Sequence, residues 1–439
     1  MSIAVPVGSE RSGPQSPDGT GAHLTRNFRL GVTSGVAYNL YTAVLSTQLV
    51  MTWFLSELTD SNLLISLLVP IELGSWYLLQ MLLSGYVRQR SRSLPLYRAM
   101  GVIRVAALAL LSLAMLVIDR SAALLVVFLA LFTANSVAAG VAALPFLSVV
   151  AKTIPVTKRG MYFGWRRFAG GLLGLLGAAL IKIILSPDFG LGFPSNYALV
   201  FLVGCLTTAV LVGTFSLTVE PRGAVDRRAG RPPAQLRAAL LLAARDRTYA
   251  GYLGLRAAIA VANYAWPFYA IYARRALNVS GAKLGTYLMA STLASVLSNL
   301  ILGRIGDRYG NRLLVRLAAL SAVLPSAMAL FLIHVSGLPL DRSGLFTLVF
   351  VLQGLHATAH SIGSNNYLLE LAPPPERITY ISFAHGIVGL TVLASPLGGA
   401  LVDWMGFEPL FWLALAGGVV ALILSLGLTE PRKNWAAAG

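Results

Sequence analysis

The chain has 439 residues, 56% of them hydrophobic and 12% charged, with a mean hydropathy of +0.72. A soluble globular chain carries about 25% charged residues, so these values exclude one and indicate an integral membrane protein. The net charge of +17 lies in short loops on one side of the apolar segments, which excludes a nucleic-acid reading, and the single cysteine, Cys205, excludes a disulfide framework and a thiol metal site.

In chain order, residues 1–27 come first, rich in Gly, Ser and Pro. They read as a disordered cytoplasmic tail with no apolar segment of a cleavable signal. A crossing needs about 20 mostly apolar residues. Twelve such stretches follow, predicted as helices 1 to 12: 29–55, 63–87, 95–118, 122–151, 161–185, 196–218, 249–273, 282–302, 313–335, 345–371, 379–403 and 409–428. Residues 221–247 form a basic cytoplasmic linker between two bundles, 28–220 and 248–430, and 431–439 form a second cytoplasmic tail. Lys and Arg fall 26 on the side holding both ends and six on the other, with Arg104 and Arg256 inside spans. The excess of basic residues puts both termini in the cytoplasm and the protein in the cytoplasmic (inner) membrane as a multi-pass chain. Arg274, Arg275 and Lys283, after helix 7, are a local exception.

The two bundles repeat each other. Gly85 to Gly303, Arg90 to Arg308, Pro155 to Pro373, Tyr162 to Tyr380 and Gly171 to Gly389 all keep a shift of 218. Each half also closes on Glu-Pro-Arg, at Glu220-Pro221-Arg222 and Glu430-Pro431-Arg432. Two parallel halves in a membrane protein point to a transporter with its site between them.

The loop after helix 8 reads Gly303-Arg304-Ile305-Gly306-Asp307-Arg308-Tyr309-Gly310-Asn311-Arg312. This resembles the signature Gly-x-x-x-Asp-Arg-x-Gly-x-Arg of the major facilitator superfamily at every fixed position, and the likeness covers the chain from about residue 28. The resemblance implies an all-α membrane protein of twelve transmembrane helices in two pseudo-symmetric six-helix bundles. It also implies a gating loop made of Gly85 and Arg90 in the first copy and Gly303, Asp307, Arg308, Gly310 and Arg312 in the second. Gly303 would let neighbouring helices approach, and Asp307 would hold cationic partners across the seam. The first copy has Gln89 in place of the Asp, so its charge latch is weak or absent. Helix 4 lacks the Arg of many proton-coupled members. Helix 5 has the glycines of the drug-antiporter signature without its Pro.

Polar residues inside spans are costly and face a cavity or a partner. Glu72 is the acidic residue placed mid-span. It reads either as a proton carrier or as the ion partner of Arg104 in helix 3. On helix 10, Gln353, His356, His360, Ser364 and Tyr367 recur at spacings 3, 4, 4 and 3, which puts them on one face. That stripe is expected to line the central cavity, ahead of satisfied structural histidines and of a metal pair for which no acidic or thiol ligand stands nearby. Helix 7 offers Arg256, Asn263, Tyr264 and Trp266, with Pro267 expected to break the helix. Arg256 binds an anionic group or snorkels to the cytoplasmic side. Helix 1 offers Tyr38, Tyr41 and Gln48 on one face with Asn39 beside them. Helix 5 offers Arg166, read as an interfacial anchor, and Arg167, read as cavity-facing. His385 in helix 11 is the repeat counterpart of Arg167.

No phosphate-binding Gly loop accompanies these residues, so ATP-driven pumping is not expected. Neither a cofactor nor a resident metal is expected. The reading is a monomeric secondary transporter, not an enzyme, that moves a small organic solute across the lipid bilayer by alternating access with protons as coupling ion. Aromatics with Arg and His favour an amphipathic or anionic solute over a simple sugar. Efflux is drawn from the family's base rate, with an ion-coupled uptake symporter or a non-transporting sensor as alternatives.

Overall fold

The computed structural model describes residues 20–223, 245–335, 341–373 and 377–431, and among them every regular element is helical. Residues 1–19, most of the linker (224–244) and the tail from Arg432 lie outside the described residues. Among the described residues ten helices are long and apolar enough to cross a membrane. The expected first and seventh crossings are not among the ten, each being broken along its course. The protein is a multi-pass membrane protein.

Helix 1 runs as Thr20–Val44, a π turn at Thr47–Met51 and Thr52–Leu58. It starts before the expected residue 29, because Arg26 and Asn27 donate to the carbonyls of Leu217 and Val219 and tie its first turns to the end of helix 6. Helix 2 comprises Asn62–Ser66, a π turn at Pro70–Gly74 and Ser75–Arg88. Pro70 has no N–H to donate to Ser66, which accounts for the break. Helices 3 to 6 are Leu94–Val117, Ser121–Thr153, Val156–Ile184 and Ser195–Ser216. Helix 7 is Arg247–Ala262, a 3-10 turn at Asn263–Ala265 and Trp266–Leu277. The turn falls where Pro267 cannot bond the Asn263 carbonyl, as expected of a proline at that position. Helices 8 and 9 are Gly281–Tyr309 and Asn311–His334, helix 10 is Thr347–Leu371 after a short turn at Arg342–Leu345, and helix 12 is Phe407–Leu426. Helix 11 is Arg377–Leu393 and then Pro396–Met405.

Within the first six helices, helix 1 packs on helices 5 and 6 and helix 3 on helices 4 and 6. Within the second six, helix 9 packs on helices 10 and 12, helix 8 on helix 10, and helix 7 on helices 11 and 12. The halves meet where helix 5 lies along helix 8 and helix 2 along helix 11.

The buried cores differ between the two membrane faces. We call the face holding both chain ends the near face and the other the far face. One core spans both halves on the far side, from Phe54, Phe128 and Phe201 of the first half to Tyr269, Tyr287 and Phe411 of the second. On the near side each half has its own. Tyr97, Val149, Tyr162 and Phe215 form one, and Tyr249, Tyr252, Tyr367 and Tyr380 form the other.

Two glutamates stand at the near ends, and one of them is a helix cap. Glu220, buried, accepts from the backbone N–H of Ser93 and of Leu94 at 2.8 Å and pairs with Lys152 at 2.8 Å. It therefore caps helix 3 from the end of helix 6, satisfying donors that a helix start leaves open. In the second half Glu430 lies beside Gly310 at the start of helix 9, where an added Cβ would come within 2.7 Å of its carboxylate. Gly310 has φ +88°, a conformation that favours glycine. The repeated Glu-Pro-Arg places these two carboxylates.

Candidate functional site

Helix 1 carries the first layer of the site. Tyr38 and Asn39 line a cavity of about 490 Å³ together with Trp76, Tyr97, Arg104, Phe146, Phe163, Arg166, Arg167, Leu211 and Ser361. Tyr97, Phe146, Phe163 and Leu211 lie toward the near ends of their helices, so this cavity opens below the shared far-side core. A second cavity of about 330 Å³ shares Asn39 and continues toward the middle, lined by Gln48, Trp266, Ser291, Thr292, Gln353 and Ala357 among others. Tyr41 turns away from both and takes a hydrogen bond from Asn135 Nδ2 of helix 4 at 3.1 Å. The expected face of helix 1 is thus divided among two cavities and a helix contact.

The arginines stand as follows. Arg104 is buried; its Nε reaches Asn135 Oδ1 at 3.4 Å and its guanidinium lies 5.0 Å from the centre of the Tyr41 ring. Arg166 is not the interfacial anchor that the sequence suggested. It is buried in the first half, donating to the Gly31 carbonyl and to the Tyr162 hydroxyl and lying over Phe146. Gly35 makes room for it, since a Cβ there would overlap its side chain, and Gly31, one turn away on helix 1, makes room for the Tyr162 ring beside it. That small-x-x-x-small pair was the signal available in the sequence. Arg167 lines the cavity and is exposed to it.

Glu72 is half-buried on the π turn of helix 2 and takes a hydrogen bond from Thr47, which sits on the π turn of helix 1. Among the described residues no ion pair joins Glu72 to Arg104. Single π turns inside helices recur at functional sites, where the wider backbone re-aims side chains.

The helix 10 stripe requires a correction. His356 is fully buried, its Nδ1 within 3.1 Å of Ser321 Oγ and 3.0 Å of the Ala318 carbonyl, both on helix 9. Ser364 is buried and its carbonyl accepts from Tyr252, while Tyr367 donates to the Thr429 carbonyl. His360 Nδ1 lies 3.2 Å from Ser364 Oγ. Of the stripe, Gln353 does line a cavity, and the cavity-facing line continues through Ala357 and Ser361 rather than through His356, His360 and Ser364. The spacing fixed a shared face correctly, but a polar seam against a neighbouring helix and a wetted wall have the same periodicity. The described residues hold no group of three or more His, Cys, Asp or Glu suited to a metal.

At mid-depth the halves touch through Tyr77. Arg256 is buried and bonds the hydroxyls of Tyr252 and of Tyr77, and the His385 ring packs 5.3 Å from the Tyr77 ring. Arg256 therefore does not snorkel. Trp266 packs edge-on to His356, and Tyr264 donates to the Thr391 carbonyl of helix 11. The Asn263 side-chain oxygen is buried without a hydrogen-bond partner in the helix 7 turn.

The far face is sealed by polar links between the halves, and none of them was anticipated. Asp403, at the end of helix 11, accepts from Asn62 N at 2.8 Å, Leu63 N at 2.9 Å and Asn62 Nδ2 at 2.8 Å. It caps helix 2 of the other half. Arg274 donates to Ser56 at 2.7 Å, and Arg275 to the carbonyls of Thr59 and Asp60 and to Asn62 Oδ1. Arg274 and Arg275, two of the three basic residues that broke the charge rule, belong to this seal. Gly399 and Gly285 let it close, because a Cβ there would overlap Asn62 and Lys182.

Of the loop signature, Arg90 stacks on Tyr86 and Arg308 on Tyr309. The side chains of Asp307 and Arg88 lie outside the described residues. The close approach expected at Gly303 is absent: an added Cβ would meet nothing within 4 Å. Separate near-side cores account for that, since the surfaces it would join are parted here.

Residues 251–439 match the family model described as Major Facilitator Superfamily. No curated protein matches the chain. Among solved structures, a D-xylose–proton symporter shares 16% identity and a TM-score of 0.70, covering 93% of this chain and 99% of its own. The nucleoside transporter NupG shares 14% and 0.61 over 93% and 98%, and a bacterial homologue of the iron transporter ferroportin, in an inward-facing state, 12% and 0.65 over 92% and 98%. At such identities the likeness is one of fold.

Proposed function

We propose that this chain, a transporter of the major facilitator superfamily by its matching second half and its fold, moves a small solute by alternating access. The observation that carries the reading is the distribution of buried cores: one across both halves on the far side, separate ones on the near side, with a cavity lined by Asn39, Gln48 and Gly171 of one half and Trp266, Ser291 and Gln353 of the other. The structure corresponds to a state open toward the near face. With 26 Lys and Arg on that face and six on the other, the near face is the cytoplasmic one. Rocking the halves about Tyr77 and the helix 5–helix 8 contact exchanges it for the opposite state.

Protons supply the energy through Glu72. Its carboxyl sits at mid-depth, joined to Thr47 on helix 1 and not, among the described residues, to a cation, so it is positioned to gain and lose a proton as the halves move. The solved symporter with a similar fold is named for proton coupling. Glu72→Gln, measured in liposomes, is expected to abolish accumulation driven by a pH gradient and to keep solute exchange. Accumulation at the native rate in a normally expressed variant would remove Glu72 from the coupling step. A reporter active only outside the cytoplasm, fused after Gly439, should stay silent; a strong signal would invert the orientation.

A further inference from the structure

The larger cavity has an unbalanced wall. Arg104, Arg166 and Arg167 line it, and no acidic side chain is among its lining residues. Arg104 and Arg166 are each more than nine-tenths buried. The wall therefore carries three guanidiniums, two of them buried and the third, Arg167, exposed to the cavity. Their protein partners are neutral. Arg104 faces Asn135 and the Tyr41 ring, and Arg166 faces the Gly31 carbonyl, the Tyr162 hydroxyl and the Phe146 ring. Arg167 has no protein hydrogen bond or ion pair among the described residues. Glu72, the acidic residue at mid-span, is turned to Thr47 outside that lining. Buried charges are normally paired, because an isolated one forfeits its hydration without return. A cavity that keeps two buried guanidiniums and the exposed Arg167 without an acidic partner is one whose counter-charge arrives with the ligand.

The rest of the wall describes the remainder of that ligand. Tyr38, Trp76 and Phe163 present rings to the same space. Planar guanidinium forks match carboxylate and phosphoryl oxygens two at a time, and rings stack on a flat apolar body. A volume of about 490 Å³ falls in the range of small-molecule sites. We infer that the transported solute is an organic anion: a carboxylate or phosphate monoester on a planar apolar body, its charged end held by Arg104 and Arg167 and its body against Tyr38, Trp76 and Phe163. This rests on the transporter reading and narrows it.

The probes are benzoate and phenyl phosphate as anions, benzamide as the neutral match in shape and benzylamine as the cation. Binding to the purified chain is measured by calorimetry in a buffer of bulky aliphatic anions, and counterflow in proteoliposomes is measured in parallel. At least one anion is expected to bind tenfold or more tightly than benzamide, with benzylamine excluded. The preferred anion distinguishes carboxylate from phosphate. Arg167→Gln should lower that affinity at least tenfold at an unchanged melting temperature, and Arg167→Lys should restore part of it. Equal binding of benzamide, preference for benzylamine, failure of both anions to bind at millimolar concentration, or an unaffected Arg167→Gln would overturn the inference. Anion binding without counterflow would keep the anion-binding cavity and sink the transport reading, and with it the claim that the anion is carried. Counterflow of benzamide or benzylamine without anion binding would do the reverse.

Discussion

Glu220 holds one end of helix 3 and one Lys with a single carboxylate, in a site where its side chain keeps only 2% of its exposure. Removing it leaves Ser93 N, Leu94 N and the Lys152 ammonium without their acceptor. Glu220→Ala should cost about 2–3 kcal/mol, combining a lost cap with a broken, largely buried pair, and should appear as a clear fall in melting temperature in detergent. Glu220→Gln, which keeps an acceptor oxygen, should cost less. Equal melting of both variants and the native chain would mean that helix 3 starts without help. At this scale the sequence revealed which residues were unusual more readily than what they face. The repeat singled out Glu220 and Glu430, but capping depends on where the end of helix 6 meets helix 3, a tertiary fact. Arg166 reads as an interfacial anchor until Gly35 is seen to leave it a slot.

Breaks in the helices follow local chemistry and were correspondingly legible. Pro267 and Pro396 each withhold a donor, and helices 7 and 11 break just before them. Pro145 and Pro325 are absorbed within continuous helices, so a proline alone does not decide the outcome. The π turns at Thr47–Met51 and Pro70–Gly74 had no such signal beyond Pro70 itself. Helix 10 shows the limit of periodicity: it fixed one face, and the depth of packing chose what that face touches. Single cysteines in a Cys205→Ser background test the corrected assignment. Ala357 and Ser361 should label with a polar thiol reagent added from the near side, while His356 and Ser364, held against helices 9 and 7, should stay protected. Labelling at His356 as fast as at Ser361 would return the stripe to the cavity.

For the molecule as a whole, the apolar stretches, the shift of 218 and the loop signature were enough to read twelve helices in two halves. The state of the machine was not readable in the same way. Which face is sealed depends on links between residues more than 200 apart, such as Arg274 with Ser56 and Asp403 with Asn62. Those links define the central claim, that the halves close at one face as they open at the other. Asp403→Asn weakens the cap on helix 2 and should move the two-state balance by about 1–2 kcal/mol, roughly tenfold, toward the state open at the far face. Electron–electron resonance distances in lipid nanodiscs read this directly, using spin-label pairs at the exposed positions Asp188 and Trp404 on the far face and Lys158 and Arg308 on the near face. In the native chain one far-face distance should dominate. In Asp403→Asn a longer far-face population should appear together with a shorter near-face one, in equal proportion. Distances at the two faces that lengthen together, or a far-face change with no near-face counterpart, would contradict alternating access by rocking halves.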